Sequence, residues 1–103
     1  MSAVIVTKDT FEQEVLKAEV PVVVDFWATW CGPCQLQSPE LAKFERAHEG
    51  KVKTVKINVD EQPELAAQFG VSAIPTLIGF KNGEESARAV GLQNADQLAA
   101  QFL

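Results

Sequence analysis

Three features of this chain predict an α/β fold with a central mixed five-stranded sheet, element order βαβαβαββα, and four helices on both faces. Apolar β-branched runs alternate with segments whose apolar residues recur at helical spacing, and strands separated by helices pair in parallel. Asn82-Gly83 lies between the last two apolar runs, a two-residue hairpin signal that adds an antiparallel pair. The length of 103 residues fits one domain, 1–103, that buries about 60–70% of its unfolded surface. No repeat, low-complexity tract or Gly/Ser/Pro-rich linker divides it.

The elements follow in order. Ala3 to Val6 is a short β-branched run. Thr7 to Thr10 supplies cap candidates for a helix marked by Phe11 and Val15 at i,i+4. Pro21 separates it from Val22-Val23-Val24-Asp25-Phe26-Trp27, a dense apolar run that reads as a strand buried on both faces. A long helix spans about Cys31 to His48, with Leu41 and Phe44 on one face and Gly50 as its stop. Pro39 inside it predicts a kink. Val52 to Val59 is the next strand. Pro63 opens a short helix carrying Leu65 and Phe69, closed by Gly70. Thr76 to Phe80 and Ser86 to Val90 form the hairpin. Asn94 caps a last helix with Gln97 three residues on, and Leu98 and Phe102 face inward.

Composition narrows the function classes. Hydrophobic residues make up 47% and charged residues 22%, which excludes an extended disordered chain. The net charge of −5 argues against a nucleic-acid binder, which needs a basic footprint, and against attachment to anionic lipid. No apolar run approaches the roughly 20 residues of a membrane helix. Met1 to Thr7 has no basic region and no long apolar run, so no signal peptide is read there. These readings predict a soluble cytoplasmic protein whose thiols stay largely reduced.

The only cysteines stand in Trp30-Cys31-Gly32-Pro33-Cys34. Four readings compete: staple, metal site, inert thiols and redox catalyst. A staple closing about four residues contributes roughly 2 kcal/mol, against nearly 5 for a loop of about 100. Structural zinc wants four Cys/His ligands, and only His48 remains, about 20 Å further along a helix axis. No metal is therefore expected. A lone Cys is commonly a small core residue, but this pair straddles a strand-to-helix junction, where α/β sheets collect their chemistry.

The redox reading gives each residue a task. Cys31 at a helix N-terminus faces free N–H groups and the positive dipole end, which favour thiolate. Cys34 at i+3 lies on the same side, within disulfide reach. Pro33 stiffens the first turn without losing a helical bond, Gly32 leaves the sulfur unobstructed, and Trp30 offers a flat apolar contact. Acidity alone does little. Lowering a thiol pKa from about 8.5 to about 7 raises thiolate roughly 16-fold at neutral pH, but nucleophilicity falls about 5-fold. Fast exchange therefore also depends on docking and leaving group. Asp25 reads two ways, as a desolvated carboxylate with a raised pKa or as a solvent-facing strand acid. Lys56 on its own is an ordinary strand lysine.

Taken together, Val24-Asp25-Phe26-Trp27-Ala28, Trp30-Cys31-Gly32-Pro33-Cys34, Pro39, Val55-Lys56-Ile57-Asn58-Val59-Asp60, Ile74-Pro75-Thr76-Leu77, Phe80-Lys81-Asn82-Gly83-Glu84 and Val90-Gly91 resemble the thioredoxin family over essentially the whole chain. The resemblance implies the thioredoxin fold and a protein disulfide reductase. In that scheme Cys31 is the attacking thiol, Cys34 the resolving thiol, Asp25 the buried proton acceptor for Cys34, and Lys56 its neighbour. It implies that Ile74-Pro75 is a cis bond opposite the cysteines. Gly32, Pro33 and Pro75 would tune the redox pair. Trp30, Gly32, Pro33, Ala73, Ile74, Pro75, Val90, Gly91 and Leu92 would form the docking surface.

No bound cofactor is implied. The resemblance further implies that electrons come indirectly from NADPH through a flavin-dependent thioredoxin reductase, that the partners are that reductase and disulfide-containing proteins, and that the chain is a monomer. Gln35 stands where many members carry a basic residue, and Ala73 where some carry Gly. Trp27 and the Phe residues read as packing, and Asp60-Glu61 as solvated surface. Two other readings share the motif: an oxidant or isomerase, against which the intervening Gly-Pro argues, and a binding subunit of a larger complex in which redox exchange is secondary.

Overall fold

A computed structural model describes residues 3–103; Met1 and Ser2, the start of the stretch read above as lacking a leader, lie outside the described residues. The strands are β1 (Val4–Ile5), β2 (Val22–Trp27), β3 (Lys53–Asn58), β4 (Thr76–Lys81) and β5 (Glu84–Val90). The helical segments are α1 (Glu12–Leu16), α2 (Gly32–Ala47), α3 (Pro63–Gln68) and α4 (Ala95–Phe102). The strands form one sheet in the order β1-β3-β2-β4-β5. β3 pairs parallel with β1 and β2, while β4 pairs antiparallel with β2 and β5. This is the mixed five-stranded sheet, with its four helices, that the alternation predicts.

The central position of β2 explains its composition. Both edges are paired and both faces covered, so Val22 through Phe26 are all buried. Alternate residues serve opposite layers. Val22, Val24 and Phe26 pack with Phe11 and Val15 from the α1 segment and Leu65 of α3. Val23 packs with Leu41 and Phe44 of α2 and Leu98 and Phe102 of α4. Full burial of one such side chain contributes about 1.5–3 kcal/mol. Asp25 shares the parity of Val23, so it enters the α2 layer.

Local signals act where expected at the later elements. Asn82 (φ +54°) and Gly83 (φ +81°) turn the hairpin with two successive left-handed residues. At α4 the Asn94 side chain accepts from the Gln97 N–H (2.8 Å) and the Gln97 side chain accepts from the Asn94 N–H (2.8 Å). Gly79 on β4 permits close approach of α4: a Cβ there would lie 2.7 Å from Phe102 Cδ1.

The first helical segment differs from the expectation. Phe11 and Val15 are buried, but the backbone winds as one π turn, with the Lys17 N–H bonded to the Glu12 carbonyl five residues back (2.9 Å). Five residues are too few for intrinsic propensity to fix the winding. The threonines do not cap it; the Thr10 hydroxyl accepts from the Thr7 N–H (3.0 Å) instead. α2 runs unbroken through Pro39. No helix among the described residues is long and apolar enough to cross a membrane.

Candidate active site

The site sits where β2 hands over to α2. Cys31 is the residue before the helix, in extended conformation (φ −91°, ψ 112°), and its Sγ accepts from the Cys34 N–H (3.2 Å). A sulfur thus fills the capping role that oxygen usually fills, at the positive end of a 16-residue helix. Pro33 lies in the first turn, where no helical N–H is missed. The two cysteines form a disulfide with Cα atoms 5.2 Å apart, inside the usual span. Both are buried beneath Ala28, Trp27, Val59 and Ile74.

Two further segments meet the cysteines. The Ile74-Pro75 peptide bond is cis, and the Ile74 carbonyl lies 3.8 Å from Cys31 Sγ. The Pro75 carbonyl accepts from the Gly91 N–H (2.8 Å), which ties the end of β5 to this loop. Gly91 has φ +93°, a backbone that side chains rarely adopt. The sequence-predicted surface residues therefore converge. Trp30 (69% exposed), Val90 (60%) and Leu92 (43%) project to solvent. Gly32, Pro33 and Ala73 are exposed, Ile74 and Gly91 are half-buried, and Pro75 is buried. Leu36 on α2, a residue the sequence reading passed over, is also exposed. Its apolar character on a polar helix face was the available signal.

Asp60 is exposed, as its reading as solvated surface expects, and it has a task there: its Oδ2 accepts from the Trp30 indole N–H (2.7 Å). Asn58 Oδ1 in turn accepts from the Asp60 N–H (2.9 Å), so the acid is itself anchored. The most exposed aromatic side chain at the site is thus held at its polar end. Nothing local in the sequence links residues 30 and 60; the parallel pairing of β2 and β3 brings their ends together.

On the α2 side of β2 stands Asp25, fully buried, with both carboxylate oxygens lacking a hydrogen-bond partner among the described residues. The solvent-facing alternative is excluded. Burial pushes its pKa up from 3.8 to about 7, opposed by the positive charge of Lys56. Lys56 is the residue directly opposite Asp25 in the β2–β3 register. Its Nζ does not bond the carboxylate. It donates to Ser38 Oγ on α2 and lies 4.6 Å from the centroid of the Trp27 ring. The acid therefore feels a nearby cation without being neutralised by it.

The arrangement holds a redox-capable sulfur pair, a buried acid poised near neutrality on the same face of the sheet as α2, and an apolar exposed rim. Among the described residues, no group of three or more His, Cys, Asp or Glu is placed to hold a metal ion. Comparison with known proteins gives the same direction. The thioredoxin family model matches residues 2–103. A Nostoc thioredoxin 1 is 51% identical over 86 residues, covering 84% of this chain and 80% of that protein. The Pseudomonas aeruginosa thioredoxin is 48% identical over 95 residues, covering 92% and 88%. The Alicyclobacillus acidocaldarius thioredoxin is 49% identical over 90 residues, covering 87% and 86%.

Proposed function

The chain belongs to the thioredoxin family and is a dithiol–disulfide oxidoreductase, and we propose that it works as a reductase of protein disulfides. One observation supports the mechanism: the Cys31–Cys34 pair opens the helix that packs on the same face of β2 as the buried Asp25, whose carboxylate has no hydrogen-bond partner among the described residues.

The steps balance as follows. The Cys31 thiolate attacks one sulfur of a substrate disulfide, forming a mixed disulfide and releasing the other sulfur as a thiolate, which takes a proton. Asp25 accepts the proton of the Cys34 thiol, directly or through water. Cys34 then attacks Cys31 Sγ, the Cys31–Cys34 disulfide forms, and the second substrate sulfur leaves and is protonated. Two electrons pass to the substrate, which departs as a dithiol. Helix-end N–H groups favour the first thiolate. An acid with a pKa of about 7 is suited to take and return a proton at neutral pH. Lys56, opposite in register, keeps that value from rising further.

Docking uses the rim. An extended substrate segment lies along the Ala73-Ile74-Pro75 loop, where the Ile74 N–H has no partner among the described residues. Trp30, Gly32, Pro33, Val90, Gly91 and Leu92 flank it. The dithiol is regenerated by a flavin-dependent thioredoxin reductase drawing on NADPH, and the reducing cytoplasm is the compartment in which that form persists.

Cys34→Ser tests the assignment of the two sulfurs. It removes the resolving thiol and leaves Cys31 free, so protein substrates accumulate as mixed disulfides on Cys31, visible by mass spectrometry and released by dithiothreitol. Trapping by Cys31→Ser instead would reverse the assignment. Failure of the reduced parent protein to cleave insulin disulfides would remove the reductase reading altogether.

A further inference from the structure

Val90 and Leu92 of the rim are exposed, yet the chain directly behind them is fastened to the cysteine helix. Gln37 stands on α2 one turn beyond Cys34 and is completely buried. Its Nε2 donates to the Gln93 carbonyl (2.9 Å), and its Oε1 accepts from the Gln93 N–H (2.8 Å). The side-chain amide pairs with one residue's main chain as a neighbouring strand would. Only a carboxamide supplies a donor and an acceptor at that reach; a carboxylate lacks the donor and a methionine lacks both. One turn further along α2, Glu40 Oε1 accepts from the Ala95 N–H (2.8 Å). With the Gly91 N–H bond to Pro75, the segment from 91 to 95 is held at three points, two of them on α2.

We propose that Gln37 is a positioning residue for substrate docking: its carboxamide locks the main chain of Gln93 and so holds Gly91 and Leu92 ready to receive the polypeptide around a substrate disulfide. The inference rests on the reading that this rim docks the substrate. The physical reason is preorganisation. A loop already ordered in the free protein loses little entropy when substrate arrives, whereas a loose one must be ordered at that moment. A small disulfide that meets only the sulfurs does not use the loop and is indifferent to it.

The test replaces Gln37 by Met, close in length and able to fill the site without either bond. Steady-state rates are measured with insulin, using dithiothreitol as electron source, and single-turnover rates with the small disulfide 5,5′-dithiobis(2-nitrobenzoate), using pre-reduced protein freed of dithiothreitol, alongside amide hydrogen exchange at residue 93. With only part of the net worth of two neutral hydrogen bonds reaching the docking step, the KM for insulin rises about 3- to 10-fold at little change in kcat. The small-disulfide rate holds within about twofold, and the residue 93 amide exchanges faster.

Leu92→Asp serves as the control on the docking reading. If Leu92→Asp raises the insulin KM and Gln37→Met does not, the role of Gln37 is refuted while the docking rim stands. If Leu92→Asp leaves KM unchanged, the docking reading falls and takes this inference with it. Equal slowing of both substrates by Gln37→Met would place its effect at the cysteines and also overturn the proposal. Should neither Gln37→Met nor Gln37→Leu fold, exchange in the parent protein decides. A Gln93 amide no better protected than that of Leu92 would mean there is no lock.

Discussion

Replacing Asp25 by Ala should stabilise the oxidised protein, and by an amount that depends on pH in a defined way. The carboxyl is fully buried with no partner for either oxygen among the described residues, and its pKa stands at about 7 instead of 3.8. The unfolded chain therefore loses this proton near pH 4 and the folded protein only near pH 7. Between those values the unfolded state binds fewer protons, so stability falls as pH rises. The contribution of the protonated acid is full below the unfolded pKa and gone once pH has passed the folded one. Three pH units at about 1.4 kcal/mol each make roughly 4 kcal/mol, a large part of the 5–15 kcal/mol typical of a domain.

The assay is urea unfolding of the oxidised protein and of Asp25→Ala, followed by tryptophan fluorescence from about pH 4 to about pH 9. The cavity and any repacking in the variant add a constant that does not titrate. The diagnostic quantity is the pH dependence of the difference in stability. It should grow by about 4 kcal/mol in favour of the variant between pH 4 and pH 7, then level off. A difference that stays flat across that window, or that shrinks with pH, would refute the desolvated-acid account of Asp25.

Two other substitutions probe the same layer. Lys56→Met removes the one charge that lowers the Asp25 pKa, so the acid should titrate above its present value of about 7 by carboxyl NMR, and the pH midpoint of the Cys34 step should rise with it. A downward movement would deny the coupling. Gly79→Ala would set a Cβ 2.7 Å from Phe102 Cδ1 and 3.0 Å from Ser86 Oγ. It should cost about 1–3 kcal/mol by thermal or urea unfolding without altering disulfide exchange.

The fold was legible where a local rule and the tertiary environment agree. The run from Val22 to Phe26 reads as doubly buried because only a central strand tolerates it, and β2 is that strand. Asn82-Gly83 and the Asn94/Gln97 box are chemistry internal to a few residues, so they survive any context. The α1 segment was legible only in part. The spacing of Phe11 and Val15 records which residues point inward, and both do, but spacing does not record how many residues the backbone takes to return.

The site divides along the same line, and the division explains what a motif can carry. Cys31, Pro33 and Cys34 act through a single turn, so their pattern is contiguous and readable. Every polar residue that supports them acts across the fold. Asp60 holds Trp30 over 30 positions, Gln37 holds Gln93 over 56, and Ser38 receives Lys56 over 18. Each looks ordinary in its own segment: an acid beside an acid, a glutamine among helix formers, a serine before a proline. What makes them consequential is burial or register, quantities that exist only after β2, β3 and α2 have packed. Asp25 stands between the two classes. Its strand predicts burial on composition, but only the packed layer reveals that both oxygens are left without a partner among the described residues. In the proposed mechanism that orphaned state ties stability to function. A bonded carboxylate would be cheaper to bury and too weak a base to take the Cys34 proton at neutral pH.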